Sequence, residues 1–476
     1  MVHPVRKQST EAAALNKHCA LIDALLGGTD AMRAAGKAYL PQWPGEEDKA
    51  HATRLAVATL FPAYQRTIEV LGAKPFSKPI TYGKDVPAKI QALCEDVDRQ
   101  GRNLHAFLAE VGQEALGYGF SGILVDYPPT KDENGKPLYV TKADEDAAGV
   151  RPYFVQIHPR CILGWLSDKS GLTQLRLLEA VEVPDGDFDV KTIEQVRVLR
   201  RGAWETWRKV ENKSDDEWAP FESGVTTLKG IPFVPVYGNR LGFMRARPAL
   251  LELAYANVEH WQSKSDQQNI LHVARVPILF TKMLGDGVEL AVGAGTGVKA
   301  TNPDADMKFV EHTGAAIEAG RKSILDIEDR MRQAGAELLV IKPGNITESQ
   351  TLADNEQGAC ALQKVAENIE DSADQALQLM AEWLGEQQGG HVTLFKDFGA
   401  ATLAEASAEL LLKTNQAGKL SDESLHEEFQ RRGIVKPDID WETEKERIER
   451  QGPAPGTMDD PLPPPANKPA PNPDEE

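Results

Sequence analysis

The feature that most constrains the fold is a long helical segment in the middle of the chain. No Gly or Pro interrupts Pro248–Val273 after its first residue, and proline suits the first turn of a helix. About 26 residues at 1.5 Å rise per residue predict a rod of roughly 40 Å. An apolar stripe follows helical spacing at Leu251, Ala254, Val258 and Trp261. The polar run 263–269 then predicts that only part of the rod packs on neighbours.

Two more helices are predicted after this rod. Residues 276–318 are rich in glycine and are predicted to be irregular. Residues 318–334 then predict a helix whose apolar face is formed by Ile324, Ile327 and Met331. A loop over 342–352 precedes a long helix over 353–385, in which apolar residues keep an i, i+3, i+4 spacing. The pattern indicates paired long helices around an insertion.

The chain before the rod changes from helical to β periodicity near residue 120. Helices are predicted within 10–118, including one over 47–71 and one over 86–118. Residues 120–240 are predicted to be mostly antiparallel β structure, with a hairpin formed by 196–200 and 204–208. Prolines in 231–237 predict an edge strand there. The predicted fold class is therefore α+β.

The end of the chain changes composition. Short helices are predicted over 401–417 and 421–432. Nine prolines then fall within residues 452–476, which end in acidic residues. Such a segment cannot bury a core, and it is predicted to be disordered.

The net charge of −19 limits the partners of the chain. A protein that grips DNA usually presents a basic face that neutralises phosphates, and this chain has the opposite overall sign. An acidic wall would suit a conduit through which DNA passes without sticking, although the same charge also keeps a large assembly soluble. No apolar run is long enough for a membrane span, and the start lacks the order of a signal peptide. We therefore expect a protein made and kept in a cytoplasm.

Three short motifs suggest chemistry, but each lacks a residue or a context that the chemistry needs. Gly117–Gly122 spells GxGxxG, yet it lies between a helix and a strand, the reverse of the order that binds a dinucleotide. Gly293–Lys299 has Val298 where a phosphate-binding loop needs Gly, and Gln430 breaks the HExxH pattern begun at His426. The cysteines form no CxxC pair: Cys19, Cys94, Cys161 and Cys360. No catalytic, cofactor-binding or metal-binding residue is predicted, and the chain is not expected to be an enzyme.

The order of short motifs along residues 20–385 resembles that of a phage protein family. The motifs are Gly36–Pro41, Thr67–Gly72 with Pro75–Phe76, Asp98–Leu104, Gly117–Pro128, Arg151–Tyr153, Ile231–Pro232, Asn257–Asp266, Val310–Glu311 with Gly314, and Met331–Ala336. Their order over that length carries the resemblance. The family is that of tailed-bacteriophage portal proteins, in a portal-like branch first described as a phage domain of unknown function.

Portal proteins form rings, usually of twelve subunits, at one vertex of the capsid, and the resemblance implies the same architecture here. It implies a mixed α/β wing over 1–240, a descending stem helix over 241–275, a small clip over 276–317, a returning stem helix over 318–341, a tunnel loop over 342–352, a long wing helix and return over 353–399, crown-like helices over 400–450 and a disordered tail over 451–476. A ring needs a heterologous interface whose rotation closes, and stem helices side by side would supply one.

The resemblance also implies roles for particular residues. Stem packing is expected at Leu251, Ala254, Val258, Trp261, Ile324, Ile327 and Met331. The DNA-facing tunnel loop is expected to present Lys342, Asn345, Thr347 and Gln350. A loop with so few charges would touch phosphates weakly and release them, and an ordinary solvated loop between helices is the alternative interpretation.

The implied partners are those of a conduit for DNA packaging and ejection. They are further copies of the chain in a ring, double-stranded DNA in the channel, the terminase large subunit, a head–tail adaptor, and the major capsid and scaffolding proteins, with no membrane and no cofactor. The implied location is the portal vertex of the virion, reached from the host cytoplasm. Two alternatives stay open at this point: another head–tail connector or minor capsid protein, and a cytoplasmic enzyme with an unrecognised site.

Overall fold

The computed structural model describes residues 3–128, 130, 136–210, 217–274, 278–283, 303–310, 314–336, 360–396, 398, 411–431, 435 and 440–451. They belong to two compact units, Met1–Lys396 and Asp397–Glu476. Helices and antiparallel sheets both contribute, and the predicted α+β class is confirmed. The predicted tunnel loop over 342–352 and the residues 452–476 lie outside the described residues.

The helices of the first unit are numbered along the chain. They are α1 (Thr10–Leu15), α2 (Cys19–Leu26), α3 (Gly28–Ala35), α4 (Asp48–Val57), α5 (Ala63–Ala73), α6 (Ala88–Cys94), α7 (Leu104–Tyr118), α8 (Lys142–Ala147), α9 (Leu251–Ala274), α10 (Ala315–Ala336) and α11 (Ala361–Leu384). Side-chain caps start several of them. The Asn103 side chain, for example, accepts a hydrogen bond from the Ala106 N–H in the first turn of α7.

The strands lie in separate small sheets. They are β1 (Thr81–Tyr82), β2 (Phe120–Asp126), β3 (Tyr153–Ile157), β4 (Ile162–Asp168), β5 (Gly171–Asp185), β6 (Asp189–Arg200), β7 (Ala203–Lys209), β8 (Trp218–Val225), β9 (Phe233–Tyr237), β10 (Arg240–Gly242), β11 (Arg245–Ala246), β12 (Ile278–Lys282), β13 (Asp306–Val310) and β14 (Val392–Thr393). The two larger sheets have the orders β3-β2-β9 and β4-β5-β6-β7-β8. Every described pair is antiparallel.

The core of the first unit lies on both faces of the three-stranded sheet. One face packs against the five-stranded sheet, through side chains such as Phe120, Phe233 and Leu175. The other face meets α7 and α11: Ser121 donates a hydrogen bond to Glu114 of α7, and Ser372 of α11 donates one to the Pro235 carbonyl. The result is a layer of helices on two layers of sheet.

Three local predictions are confirmed. The hairpin predicted at 196–208 is formed by β6 and β7, which meet at Arg200 and Ala203 with Gly202 at φ +73° in the turn. Strand β9, which contains Pro235, lies at a sheet edge as predicted. The glycines at 117–122 make a tight connection from α7 to β2, with Gly119 at φ +84°.

The helices predicted over 47–71 and 86–118 are wrong as single helices. The first is divided into α4 and α5 by residues 58–62, and Pro62 disfavours a helical conformation before it. The second is divided into α6 and α7 by residues 95–103. There the Asp98 carboxylate accepts hydrogen bonds from the backbone N–H groups of Gln100 and Arg102, which offers the backbone an alternative to the helix.

Two predictions for the later part of the chain also need correction. The segment 276–318 is not irregular throughout, because its described ends pair as the antiparallel ribbon β12–β13. In the second unit, residues 411–416 are helical, followed by α12 (Asp422–Arg431) and α13 (Trp441–Gln451). Helix α13 lies beyond the two short helices predicted over 401–417 and 421–432. It extends to Gln451, the residue at which the disordered tail was predicted to begin. The rings of His426 and Trp441, one from each helix, lie 5.6 Å apart.

Candidate functional site

The candidate site is the hairpin formed by the two long helices α9 and α10, together with the ribbon β12–β13 at its end. The two helices run antiparallel. Gln267 of α9 donates a hydrogen bond to the Ile317 carbonyl at 2.8 Å, and Glu259, nearer the start of α9, pairs with Arg330 at 2.8 Å. At about 1.5 Å per residue, each helix is a rod of roughly 35 Å.

One polar side chain fixes the first half of α9 to the rest of the unit. Asn257 is fully buried. Its side chain accepts a hydrogen bond from the Tyr64 N–H at 3.0 Å and donates one to the Phe61 carbonyl at 2.9 Å. The Tyr64 N–H lies in the first turn of α5, where a helix N–H has no acceptor within the helix, and the Phe61 carbonyl lies in the break before α5. Asn257 therefore joins α9 to the start of α5.

A second polar anchor lies near Asp266. The buried Arg54 guanidinium of α4 lies 3.3 Å from Asp266 and makes two 2.8 Å hydrogen bonds to Glu46. The hydrogen bond from Arg54 lowers the pKa of Glu46 to about 2, so this carboxylate is charged at neutral pH. The Trp43 indole also donates to Asp266, at 3.2 Å. Asp266 thus joins α9 both to α4, through Arg54, and to the segment before α4, through Trp43.

The residues expected to pack the stem lie on these two helices with different degrees of burial. Four are buried: Ala254, Trp261, Ile327 and Met331. Three are only half-buried: Leu251, Val258 and Ile324. The apolar stripe therefore covers part of the contact between the helices and the rest of the unit.

Sequence reasoning missed the buried polar side of α9. Asn257, His260, Ser265 and Gln267 are all buried. His260 contacts Glu328 of α10 at 3.3 Å, and burial lowers the pKa of its imidazole, which favours the neutral form. The one signal for this side was the segment Asn257–Asp266 among the motifs of the family resemblance.

Several buried polar atoms on α9 have no hydrogen-bond partner among the described residues. They are the Trp261 Nε1, the His260 Nδ1, the Ser265 Oγ and the Gln268 Oε1. Buried polar atoms are nearly always hydrogen-bonded in native proteins. This stretch of α9 is therefore where a further polar group, from other residues or from a second copy, would be accommodated.

The far half of the hairpin is more exposed than the near half. In the far half Ile270 is 36% exposed, and near the middle of the hairpin Leu325 is 42% exposed, although both are apolar. The ribbon continues this end, with strands paired from Ile278↔Val310 to Lys282↔Asp306. The ribbon also exposes apolar side chains: Phe280, Met283 and Met307. Large exposed apolar patches are common at protein–protein contacts, so these side chains make this end of the hairpin a candidate contact surface.

The arginines of α10 are neutralised by nearby carboxylates. Arg321 pairs with Glu318 at 2.6 Å, Arg330 with Glu259 at 2.8 Å, and Arg332 with Asp329. These guanidinium groups are engaged within the hairpin, so the described helix does not present the free basic row that binds phosphates.

The predicted tunnel-loop residues Lys342, Asn345, Thr347 and Gln350 lie outside the described residues, so the contacts of that loop are still a prediction. The helix that follows the loop is held firmly. The Trp383 indole of α11 donates to the Val125 carbonyl of β2 at 3.2 Å, and its ring stacks on Tyr127. Helix α11 is thus fixed to the three-stranded sheet near its C-terminal end.

The described residues contain no group of three or more His, Cys, Asp or Glu side chains arranged to hold a metal ion. None of the described helices is both long and apolar enough to cross a membrane.

Comparison with known proteins gives one family match and several distant structural likenesses. The model of a family described as a domain of unknown function, DUF4055, matches residues 249–384, which span α9, α10 and α11. No curated protein matches the chain.

Three solved structures are similar to the chain. The virion of a native gene transfer agent particle gives 12% identity, 84% coverage of this chain, 98% coverage of that chain and a TM-score of 0.41. The neck of an empty gene transfer agent particle, computed with C6 symmetry, gives 10% identity, 76% coverage of this chain, 88% coverage of that chain and a TM-score of 0.41. The neck of a native gene transfer agent particle, computed with C12 symmetry, gives 11% identity, 78% coverage of this chain, 89% coverage of that chain and a TM-score of 0.40. All three are distant likenesses, and the family match covers the helical hairpin and the long helix after it.

Proposed function

We propose that the chain is the portal subunit of a tailed bacteriophage, a structural protein whose copies form a ring that conducts double-stranded DNA. The observation that carries the proposal is the antiparallel pairing of α9 with α10, which continues into the ribbon β12–β13. This is the stem and clip order that the motif resemblance implies. In the proposal, residues 1–240 are the wing and the ribbon is part of the clip.

The exposed apolar groups on the hairpin support lateral packing of copies. Ile270 lies beyond the polar anchors at Asn257 and Asp266, and Leu325 lies near the middle of α10, at the level of the segment between those anchors. Packing such groups against the next copy removes apolar area from water, at about 25 cal/mol per Å². A repeated heterologous contact of this kind forms a closed ring when its rotation angle permits.

The charge pattern supports passage of DNA rather than tight binding. The net charge is −19, and the described arginines of α10 are paired with carboxylates. A wall of this kind releases few counterions on contact with DNA and holds it weakly. The weak contacts are assigned to Lys342, Asn345, Thr347 and Gln350. If replacing Lys342 and Asn345 by Ala leaves DNA packaging unchanged, this loop has no role in DNA contact.

The ring itself is tested by mass and imaging. Twelve copies of 52.1 kDa would weigh about 625 kDa. Light scattering with negative-stain imaging is expected to show rings with a central opening. Leu325→Glu is expected to abolish them, because it places a charge in the lateral contact, whereas Val140→Glu is the matched control at a 92% exposed apolar position.

The location is tested in phage particles. Mass spectrometry of purified virions is expected to find the chain at one ring per particle, that is, at a small fraction of the major capsid protein. Capsids that package DNA without the chain contradict the proposal. A chain found in the tail or along the shell in many copies indicates another connector or a minor capsid protein, and a catalytic activity indicates the enzyme alternative.

A further inference from the structure

A two-stranded arm extends from the five-stranded sheet. β5 and β6 stay paired without a register shift from Gln174↔Arg200 to Asp185↔Asp189. By contrast, β4 pairs with β5 only as far as Leu177, and β7 pairs with β6 only from Gln195 onward. Beyond those points the hairpin has no strand beside it among the described residues. An isolated two-stranded hairpin is only marginally stable in water.

The tip of this arm presents an apolar ring to solvent. Phe188 is 97% exposed. It is flanked by acidic residues, Asp185, Asp187 and Asp189. A phenyl ring in this position gains nothing from the fold of its own chain. It is therefore the group of the arm that has most to gain from a partner surface.

A pocket opens at the opposite end of the same sheet. Its cavity, of about 280 Å³, lies between the turn after β4, strand β9 and helix α11. Apolar side chains form much of its wall: Ile231, Phe233, Tyr237 and Phe243. An engineered apolar cavity of about 150 Å³ in another protein holds benzene. The pocket therefore has room for one phenyl ring.

The rim of the pocket carries charges of both signs. The Arg240 guanidinium lies 5.0 Å from the centroid of the Tyr237 ring and is exposed. Arg201 is held by two 2.8 Å hydrogen bonds to Asp168. Asp371 of α11 also lines the pocket. Arg240 attracts an acidic tip, while Asp371 opposes it, so the phenyl ring supplies most of the affinity.

The arm cannot fill the pocket of its own chain. Gly171, at the start of β5, lines the pocket, and Asp185, at the end of β5, precedes the tip. Fourteen steps of a strand at about 3.4 Å per residue separate them by roughly 45 Å along a continuous ladder. A ring and a pocket at opposite ends of one sheet can meet only between two copies arranged head to tail.

We infer that Phe188 of one copy inserts into this pocket on the next copy around the ring. The contact joins two different surfaces of the same chain, so it is heterologous and propagates from copy to copy until the ring closes. The inference rests on the proposed ring and names a contact within it, additional to the stem. The occupant of the pocket is a second copy of this chain.

Cross-linking of mixed variants tests the contact directly. Asp187→Cys, which keeps the neighbouring Phe188 ring, and Gln375→Cys, which lies on the pocket wall, are prepared as separate chains, mixed and treated with a short bifunctional maleimide. The expected result is a cross-linked dimer in the mixture and none in either variant alone. Val225→Cys, at an 82% exposed position on the same sheet, replaces Asp187→Cys in the control and is expected to give no dimer. The unaltered chain, with Cys19, Cys94 and Cys360 buried and Cys161 half-buried, gives the background.

Assembly of single variants gives an independent measure. Phe188→Ala is expected to weaken association by about 30-fold, the effect of removing an anchor side chain from a partner pocket. Val225→Ala is expected to leave it unchanged. Arg240→Glu is expected to weaken it by about tenfold, because it repels the acidic tip. Circular dichroism of the Phe188→Ala monomer should match that of the parent.

The outcomes separate this inference from the proposed function. Rings of the parent chain, with no cross-link between positions 187 and 375 in the variants and with Phe188→Ala assembling normally, overturn the inference and leave the portal proposal standing. A cross-link within one copy of a double variant also overturns the inference, since the pocket is then filled from its own chain. A parent chain that stays monomeric, together with cysteine variants that give no cross-link, overturns both the inference and the portal proposal.

Discussion

The buried carboxyl of Glu114 makes the stability of the first unit depend on pH. Glu114 lies on α7, facing the three-stranded sheet, and accepts a hydrogen bond from the Ser121 hydroxyl at 2.7 Å. Burial raises the pKa of this carboxyl to about 7, from an ordinary value of 4.5, and the hydrogen bond from Ser121 offsets only part of that rise. We therefore predict that Glu114→Gln stabilises the unit at high pH.

The sign and the size of the effect follow from proton linkage. Between pH 4.5 and about 7 the folded chain holds a proton that the unfolded chain has lost, so the free energy of unfolding falls as pH rises. The shift corresponds to about 3 kcal/mol at pH 8.5 and to about 2 kcal/mol at pH 6, at 1.36 kcal/mol per pKa unit. A glutamine side chain at this position cannot ionise, so the variant is expected to gain these amounts relative to the parent.

Urea denaturation followed by tryptophan fluorescence measures the difference at both pH values. Glu367→Gln, at an exposed position of α11, is the matched control and is expected to behave like the parent at both. A Glu114→Gln chain that is less stable than the parent at pH 8.5 would refute the reasoning. So would a stability difference that does not grow between pH 6 and pH 8.5.

Three further predictions concern how α9 is held. Asn257→Ala leaves the Tyr64 N–H without its partner and removes one of the two hydrogen bonds to the Phe61 carbonyl, and it is expected to lower the free energy of unfolding by about 1–3 kcal/mol in urea denaturation. Gly119→Ala is expected to lower the melting temperature far more than Gly28→Ala. Both glycines have positive φ, which costs about 1–2 kcal/mol for alanine, but only at Gly119 would the added Cβ lie 2.1 Å from the Arg247 backbone carbon. Arg54→Met leaves the Glu46 carboxylate without its buried partner. It is expected to lower the free energy of unfolding by about 3–5 kcal/mol in urea denaturation.

Local patterns were enough to predict the hairpin of β6 and β7. Residues 196–200 and 204–208 alternate in polarity, and a glycine stands where the turn needs a positive φ. Each of these signals lies within a few residues of the structure that it specifies. The long helix α9 was predictable for the same reason, because the absence of Gly and Pro is a local property.

The breaks inside the predicted helices could not be found in this way. The break at 58–62 is stabilised by Asn257, about 200 residues away, which bonds to one backbone group within the break and to one just after it. The break at 95–103 is stabilised from within instead, because the Asp98 carboxylate accepts hydrogen bonds from the backbone N–H groups of Gln100 and Arg102. The sequence contains an aspartate at many places where a helix continues, so the pattern alone does not distinguish this one.

The polar anchors of α9 bear on the geometry of the proposed ring, because they hold the helical hairpin in one direction. Asn257 and Asp266 fix α9 to α5 and to the Arg54 cluster, whereas the last turns of α9, with Ile270, lie beyond both anchors. The direction of the helical hairpin is therefore set by its contacts with α4 and α5 and not by the hairpin alone. In the proposed ring, if Phe188 also joins neighbouring copies, the angle between copies is constrained at the arm and at the helical hairpin together. Loosening one anchor, as in Asn257→Ala, should then broaden the distribution of subunit numbers seen in images, even where rings still form.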